Sequence, residues 1–138
     1  MAGVHFKYSD LKQLIELNIG ITSRLDENRA ESLTILYCDL TDHKGKDIKS
    51  SIENVLRHSD SVVNSQKDYF FLLPYTDKYG AGVVKAMFDK FFKQDISSYM
   101  VSYPKDGENS DEIIESLQVG VKKYCKKDIS YLYELISK

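Results

Sequence analysis

Three short runs of apolar, aromatic and β-branched residues, Leu33 to Cys38, Tyr69 to Leu73 and Ser98 to Tyr103, punctuate a chain that otherwise shows helical periodicity. Such runs are too short for core helices, and their unbroken apolar character suits strands covered on both faces. Each is stopped by turn-forming residues: Asp39, Thr41, Asp42 and Gly45 after the first, Pro74 after the second, and Pro104, Asp106 and Gly107 after the third. Proline has no amide proton to give a ladder and restricts the residue before it, so both prolines read as strand ends. Val62 and Val63, the polar stretch Asn64 to Asp68, and Tyr69 to Leu73 together read as a β-hairpin.

The stretches between are helical by spacing. Leu11, Leu14, Ile15, Asn18, Thr22 and Leu25 follow the candidate caps Ser9 and Asp10 and predict an amphipathic helix over residues 10–27, weakened locally by Gly20. Ile48, Ile52, Val55 and Leu56 place a second helix from Asp47 to near His58. Thr76 and Asp77 can cap a third, whose apolar stripe is Ala81, Val84, Met87, Phe88, Phe91 and Phe92. Ser110 is the expected cap of a fourth, with Asp111 and Glu112 complementing its dipole and Ile113, Ile114, Leu117, Val121 and Tyr124 facing inward. After Asp128, the residues Ile129, Leu132, Tyr133 and Ile136 keep helical spacing, with a strand as the alternative. Separated helices and strands in this order imply an α/β (α+β) fold of ferredoxin-like or palm type: a central, mostly antiparallel sheet with packed helices and an added N-terminal helix.

With 138 residues, the chain is sized for one domain. No apolar run approaches the roughly 20 residues of a membrane-spanning helix, and Met1 to Asp10 lack the basic and apolar parts of a secretory signal, so a cytoplasmic, non-membrane protein is expected. Nineteen Lys and Arg against 21 Asp and Glu leave a formal net charge of −2, which gives no field to attract nucleic acid. Cys38 and Cys125 lack neighbours at metal-ligand spacing and read as packed, reduced thiols. His58 stands without a partner nucleophile and reads as a helix-terminal surface residue. The pairs Lys122-Lys123 and Lys126-Lys127 read as a solvated face that complements a helix C-terminus. Tyr69, Tyr75, Tyr79, Tyr99 and Tyr103 suit either a partner interface or packing over a small core.

Leu33-Thr-Ile-Leu-Tyr-Cys-Asp-Leu40, Leu56-Arg-His-Ser-Asp60, Asp68-Tyr-Phe-Phe-Leu-Leu-Pro74, Thr76-Asp77 and Tyr103-Pro-Lys-Asp-Gly107 follow one another in an order and spacing that resembles GGDEF domains over about residues 30 to 125. These are bacterial signalling domains whose active members condense two GTP molecules into cyclic di-GMP across a homodimer of nucleotide-cyclase palms. The resemblance implies a palm core over residues 30–125, preceded by an N-terminal helix within 1–28 and followed by a C-terminal segment, 128–138.

What the resemblance implies about chemistry is mostly loss. Active members set metals and a triphosphate beside a tight glycine turn, since close backbone approach to phosphate requires missing side chains. Aligned from Pro74, that turn is Ser65-Gln66-Lys67-Asp68-Tyr69, and aligned from Asp60 it is Gln66 to Phe70; both choices remove both glycines. Asp39 matches the first-strand metal carboxylate, but Thr41 stands at the next carboxylate position. The base-recognising segment is reduced to Asp42-His-Lys-Gly-Lys-Asp47, Ser97-Ser98-Tyr99 replaces a Ser-x-Gly step, and Gln118 and Cys125 stand at the usual Asp and phosphate-contacting Lys. The expectation is a catalytically inactive regulatory domain with no catalytic residues and no cofactor. It would act in cytoplasmic signalling through a protein partner or self-association, with Gln66, Lys67 and Tyr99 filling the phosphate volume. Two alternatives stand beside it. Arg57 and Asp60 match an R-x-x-D site at which cyclic di-GMP or another nucleotide could be held, Arg giving a planar donor fork and Asp accepting from guanine. Asp39 and Asp68 could hold one Mg²⁺ in a residual cyclase, although both also suit ordinary turn positions.

Overall fold

The computed structural model describes residues 3–25 and 31–136. Strands β1 (Val4–Phe6), β2 (Glu31–Asp39), β3 (Ser61–Ser65), β4 (Asp68–Pro74) and β5 (Ser98–Pro104) form one sheet in the order β1-β3-β4-β2-β5. The β2–β4, β2–β5 and β3–β4 pairs are antiparallel, and β1 joins β3 in parallel. Helices α1 (Leu11–Leu25), α2 (Gly45–Val55), α3 (Lys78–Phe92) and α4 (Ser110–Gly120) pack against it, so the mixed, mostly antiparallel architecture expected from the sequence holds. Among the described residues, no helix is long and apolar enough to cross a membrane.

Strand side chains alternate between faces, and both faces are covered, which is why the central strands are continuously apolar. Ile35, Tyr37, Phe70 and Leu72 meet Leu11 and Ile15 of α1, Ile114 and Leu117 of α4, and Ile129 and Leu132 near the C-terminus. Leu36, Cys38, Phe71 and Leu73 meet Ile48 of α2 and Ala81 and Phe88 of α3, with Phe71 stacked on Phe88 at 4.8 Å between ring centroids. The free edge of β5 is blunted: Ser102 exchanges backbone hydrogen bonds with the Asp106 carboxylate and N–H, each at 2.8 Å, and the Cys125 thiol donates to the Ser98 carbonyl.

Several local expectations are corrected. Strand β1 was not anticipated, because three residues on an exposed edge leave no apolar signature; its start is fixed by Gly3 and Val4 N–H groups donating to the Arg57 and Asp60 carbonyls. The hairpin turn is Gln66-Lys67 alone, with Gln66 at φ 54, rather than the longer polar stretch. Helix α1 continues from a 3₁₀ turn, Tyr8–Asp10, instead of starting at a Ser9 or Asp10 cap, and its expected residues 26 and 27 lie outside the described residues. The second helix begins at Gly45, not Asp47, and stops at Val55, where Leu56 turns extended before His58. Asp77 does cap α3, accepting from Gly80 N–H at 2.8 Å, but Met87 and Phe91 of its stripe are exposed. Asn109 caps α4 by accepting from Glu112 N–H, while Ser110 donates to the Glu16 carboxylate. Beyond α4 a π-helical turn, Val121–Cys125, turns Tyr124 out to solvent, and the last segment is a 3₁₀ helix, Ser130–Leu135.

Tyr99 lies flat against Gly120, where a Cβ would fall 2.0 Å from the ring, so the glycine is what lets β5 and α4 close up. Gly120→Ala should therefore destabilise by about 1–2 kcal/mol, overpacking outweighing the gain in helix propensity. In a Tyr99→Ala background the same change should become neutral or stabilising, read by urea unfolding of the four variants.

Candidate functional site

The antiparallel register of the two central strands places Asp39, the last residue of β2, opposite Asp68, the first of β4. Asp68 follows directly on the hairpin turn and is buried, on the face that carries Tyr37. Both of its oxygens are engaged: Tyr37 Oη donates to Oδ1 and Tyr131 Oη to Oδ2, each at 2.7 Å. Asp39 is bent toward its own loop, its Oδ1 accepting from the N–H and hydroxyl of Thr41. Between the two carboxylates stands an ammonium. Lys127 Nζ is 3.1 Å from Asp68 Oδ1, 3.4 Å from Asp39 Oδ1 and 3.3 Å from Thr41 Oγ1.

Lys127 arrives there because the chain leaves α4 through the π-helical turn and then reverses at Lys126, which is left-handed at φ 55. Ile129 and Leu132, fully buried in the core, fasten the segment, and the Tyr8 hydroxyl donates to the Tyr131 carbonyl. The electrostatics agree with the geometry. Burial pushes the Lys127 ammonium down, but the hydrogen bonds and charges of Asp68 and Asp39 outweigh it and raise its pKa above the ordinary value. Burial raises Asp39, yet its Thr41 hydrogen bonds and Lys127 leave it below the carboxylate range. Burial first, then hydrogen bonding to Asp68, drives the Tyr37 and Tyr131 hydroxyls far above the usual phenol value.

Beside this cluster lies a recess of about 380 Å³, lined by Thr41, Ser65, Gln66, Lys67, Asp128 and Tyr131 among others. Of the residues singled out in the turn, Asp68 alone faces Asp39. Ser65 ends β3 opposite it. Gln66 is exposed, its carbonyl accepting from Asn64, and Lys67 reaches away to the His43 carbonyl. Tyr69 is buried on the other face, in the α2–α3 core. Tyr99, expected near the phosphates, packs on Gly120 and stacks on Tyr124 instead. Gln118 is buried in α4. Arg57 and Asp60 are at the far end of β3, five residues of strand away from the turn. Asp60 is buried, with Oδ2 accepting from Arg57 N–H and Oδ1 from the guanidinium at 2.9 Å. Arg57 also donates to the Pro74 carbonyl and Thr76 hydroxyl, so the pair ties α2, β3 and β4 together rather than lying as a loose surface ion pair. His58 is exposed in that turn.

The sequence reading missed Lys127, Tyr131 and Tyr37, and Lys127 is a correction to the solvated-face reading of its lysine pair. One signal was present: Lys127 lies two residues beyond Cys125, the position where the resemblance expects a lysine.

No protein-family model matches this chain, and no curated protein does. A solved structure does: a sensory box/GGDEF family protein from Caulobacter crescentus, 10% identical, covering 88% of this chain and 93% of its own, at a TM-score of 0.60. The fold is GGDEF-like. At that identity the likeness concerns the chain's path and none of its side chains, so the chemistry has to be read from the residues themselves.

The donor set does not fit the Mg²⁺ that active GGDEF members use. Mg²⁺ takes an octahedron of oxygens at about 2.0–2.1 Å, whereas here two carboxylates share one ammonium and both Asp68 oxygens already accept tyrosyl protons. Among the described residues, no group of three or more His, Cys, Asp and Glu could hold a metal ion.

The signs of the pKa shifts fix a pH prediction. Groups raised in the folded state (Lys127, Tyr37 and Tyr131) contribute stability below their unfolded values that is lost as pH climbs through the folded ones, while depressed Asp39 contributes stability lost in acid. Lys127→Met should cost about 1–2 kcal/mol at neutral pH, less than the ~3–5 of a fully buried pair because Lys127 is partly exposed, and should make the stability loss above about pH 10 shallower. Thermal melts from neutral to alkaline pH check both.

Proposed function

We propose that this chain is a catalytically inactive GGDEF-like domain, a regulatory or interaction module of bacterial cytoplasmic signalling that works through contacts with protein. The carrying observation is the Lys127 ammonium seated between Asp39 and Asp68. Two-metal phosphoryl chemistry needs two divalent ions about 3.5–4 Å apart, each held by oxygens. A single positive charge with three N–H donors offsets one of the two carboxylate charges but cannot act as a Lewis acid on phosphate oxygens. The turn supports the same reading: its two residues are Gln66 and Lys67, where close backbone approach to phosphate calls for glycine. In either alignment Asp68 is the only acid left in the turn, and Lys67 or Tyr69 stands where the resemblance expects the other carboxylate. The Arg57–Asp60 pair is read as a clamp, not a nucleotide receptor, because Asp60 is buried and both its oxygens are already taken by Arg57.

Purified protein incubated with GTP and Mg²⁺ or Mn²⁺ is expected to form no cyclic di-GMP, and Mn²⁺ titrated by electron paramagnetic resonance to bind no tighter than the millimolar range. Lys127→Ala should gain Mn²⁺ affinity by about tenfold or more, as a carboxylate pair freed of its cation must find another. It should still show no turnover. Metal-dependent product from the unaltered chain would overturn the proposal.

A further inference from the structure

Helix α1 has a second face whose apolar side chains are left exposed. Leu11, Leu14, Ile15, Asn18 and Thr22 are buried against the sheet, yet Leu17 and Ile21, one turn apart on the outer side, are 58% and 45% exposed. Gly20 lies between them, and a Cβ built on it would meet nothing within 4 Å. Glycine in a helix interior costs about 0.5–1 kcal/mol relative to alanine, and among the described residues no contact requires it. Its effect is a notch on the helix surface, flanked by Leu17 and Ile21 and bounded at the ends by Glu16 and Arg24.

Those two charges decide what fits. Glu16, one oxygen of which accepts from the Ser110 hydroxyl while the residue stays exposed, and Arg24 lie four residues to either side of Gly20, so the face carries negative charge at one end, positive at the other, and a notch midway. Turned end for end, the same face presents the complementary order. An antiparallel copy sets each Arg24 over the other copy's Glu16 and lets backbones approach at the two glycines, while Leu17 and Ile21 of each helix enter the groove of the other. A parallel copy would set like charges together. This is the self-complementary patch that a two-fold contact requires.

We propose that the outer face of α1 is the docking site for a second copy of this chain, held antiparallel about Gly20. The contact is independent of whether the Asp39–Asp68 pair can take a metal, and it names a partner for the regulatory reading. A single pair of helices buries less than the ~1,200 Å² of a standard interface, so the dimer is weak, with Kd on the order of 100 µM.

Sedimentation equilibrium of the full chain from about 10 µM to about 1 mM brackets such a contact. A monomer–dimer equilibrium is expected in that range. Glu16→Arg and Arg24→Glu should each weaken it by about tenfold, since each places like charges together twice. The double variant Glu16→Arg/Arg24→Glu should restore it, while circular dichroism shows all three folded. In a Cys125→Ser background, Gly20→Cys should cross-link into a disulfide dimer on mild oxidation. A chain that stays monomeric at about 1 mM, single swaps that associate as well as the unaltered protein, or a double swap that fails to rescue would overturn the proposal.

Discussion

Two carboxylates set directly across an antiparallel pair repel each other, and at this end of the sheet a cation from the C-terminal segment answers that repulsion. The β2–β4 register leaves no freedom in the matter: Asp39 and Asp68 are neighbours as soon as the central strands pair. Asp68 is also buried, where an unpaired charge is costly. Lys127 supplies the positive charge and Tyr37 and Tyr131 the remaining donors, so Asp68 ends with three partners. The charge balance of the sheet end thus depends on a residue from the C-terminal segment, and that segment is in turn held by Ile129 and Leu132 in the core.

Lys127 holds the position between the two carboxylates and offsets one of their charges. That is the physical content of the proposed inactive reading. The second polar cluster behaves alike. Arg57 and Asp60 spend their hydrogen bonds on each other, on Pro74 and on Thr76, and their backbone carbonyls receive the start of β1. At opposite ends of the sheet, residues that resemble ligand contacts serve to hold elements together.

The strands were legible because they are buried on both faces and closed by Pro74 and Pro104, features that a one-dimensional pattern carries. Strand β1 was not, since an exposed edge of three residues leaves no apolar run. Asp77 was a readable cap, whereas Asn109 and Ser110 are adjacent cap-formers and only backbone geometry chooses between them. In the site, Asp39 and Asp68 were visible one by one as carboxylates at strand ends. Their cation was not. Ordinary helical spacing carried past Gly120 puts Tyr124 inside and Lys127 outside, and the π-helical turn followed by left-handed Lys126 reverses both. These two consecutive backbone irregularities account for both misplacements.

The most direct measurement is a pH titration of the Lys127 side chain by nuclear magnetic resonance, followed at its ε-carbon in selectively labelled protein with and without Mn²⁺. If the ammonium is seated between Asp39 and Asp68, it titrates above the ordinary lysine value of about 10.4 and its signal survives millimolar Mn²⁺ without paramagnetic broadening. A lysine that titrates at the ordinary value, with Mn²⁺ broadening residues around Asp39 and Asp68, would contradict the account.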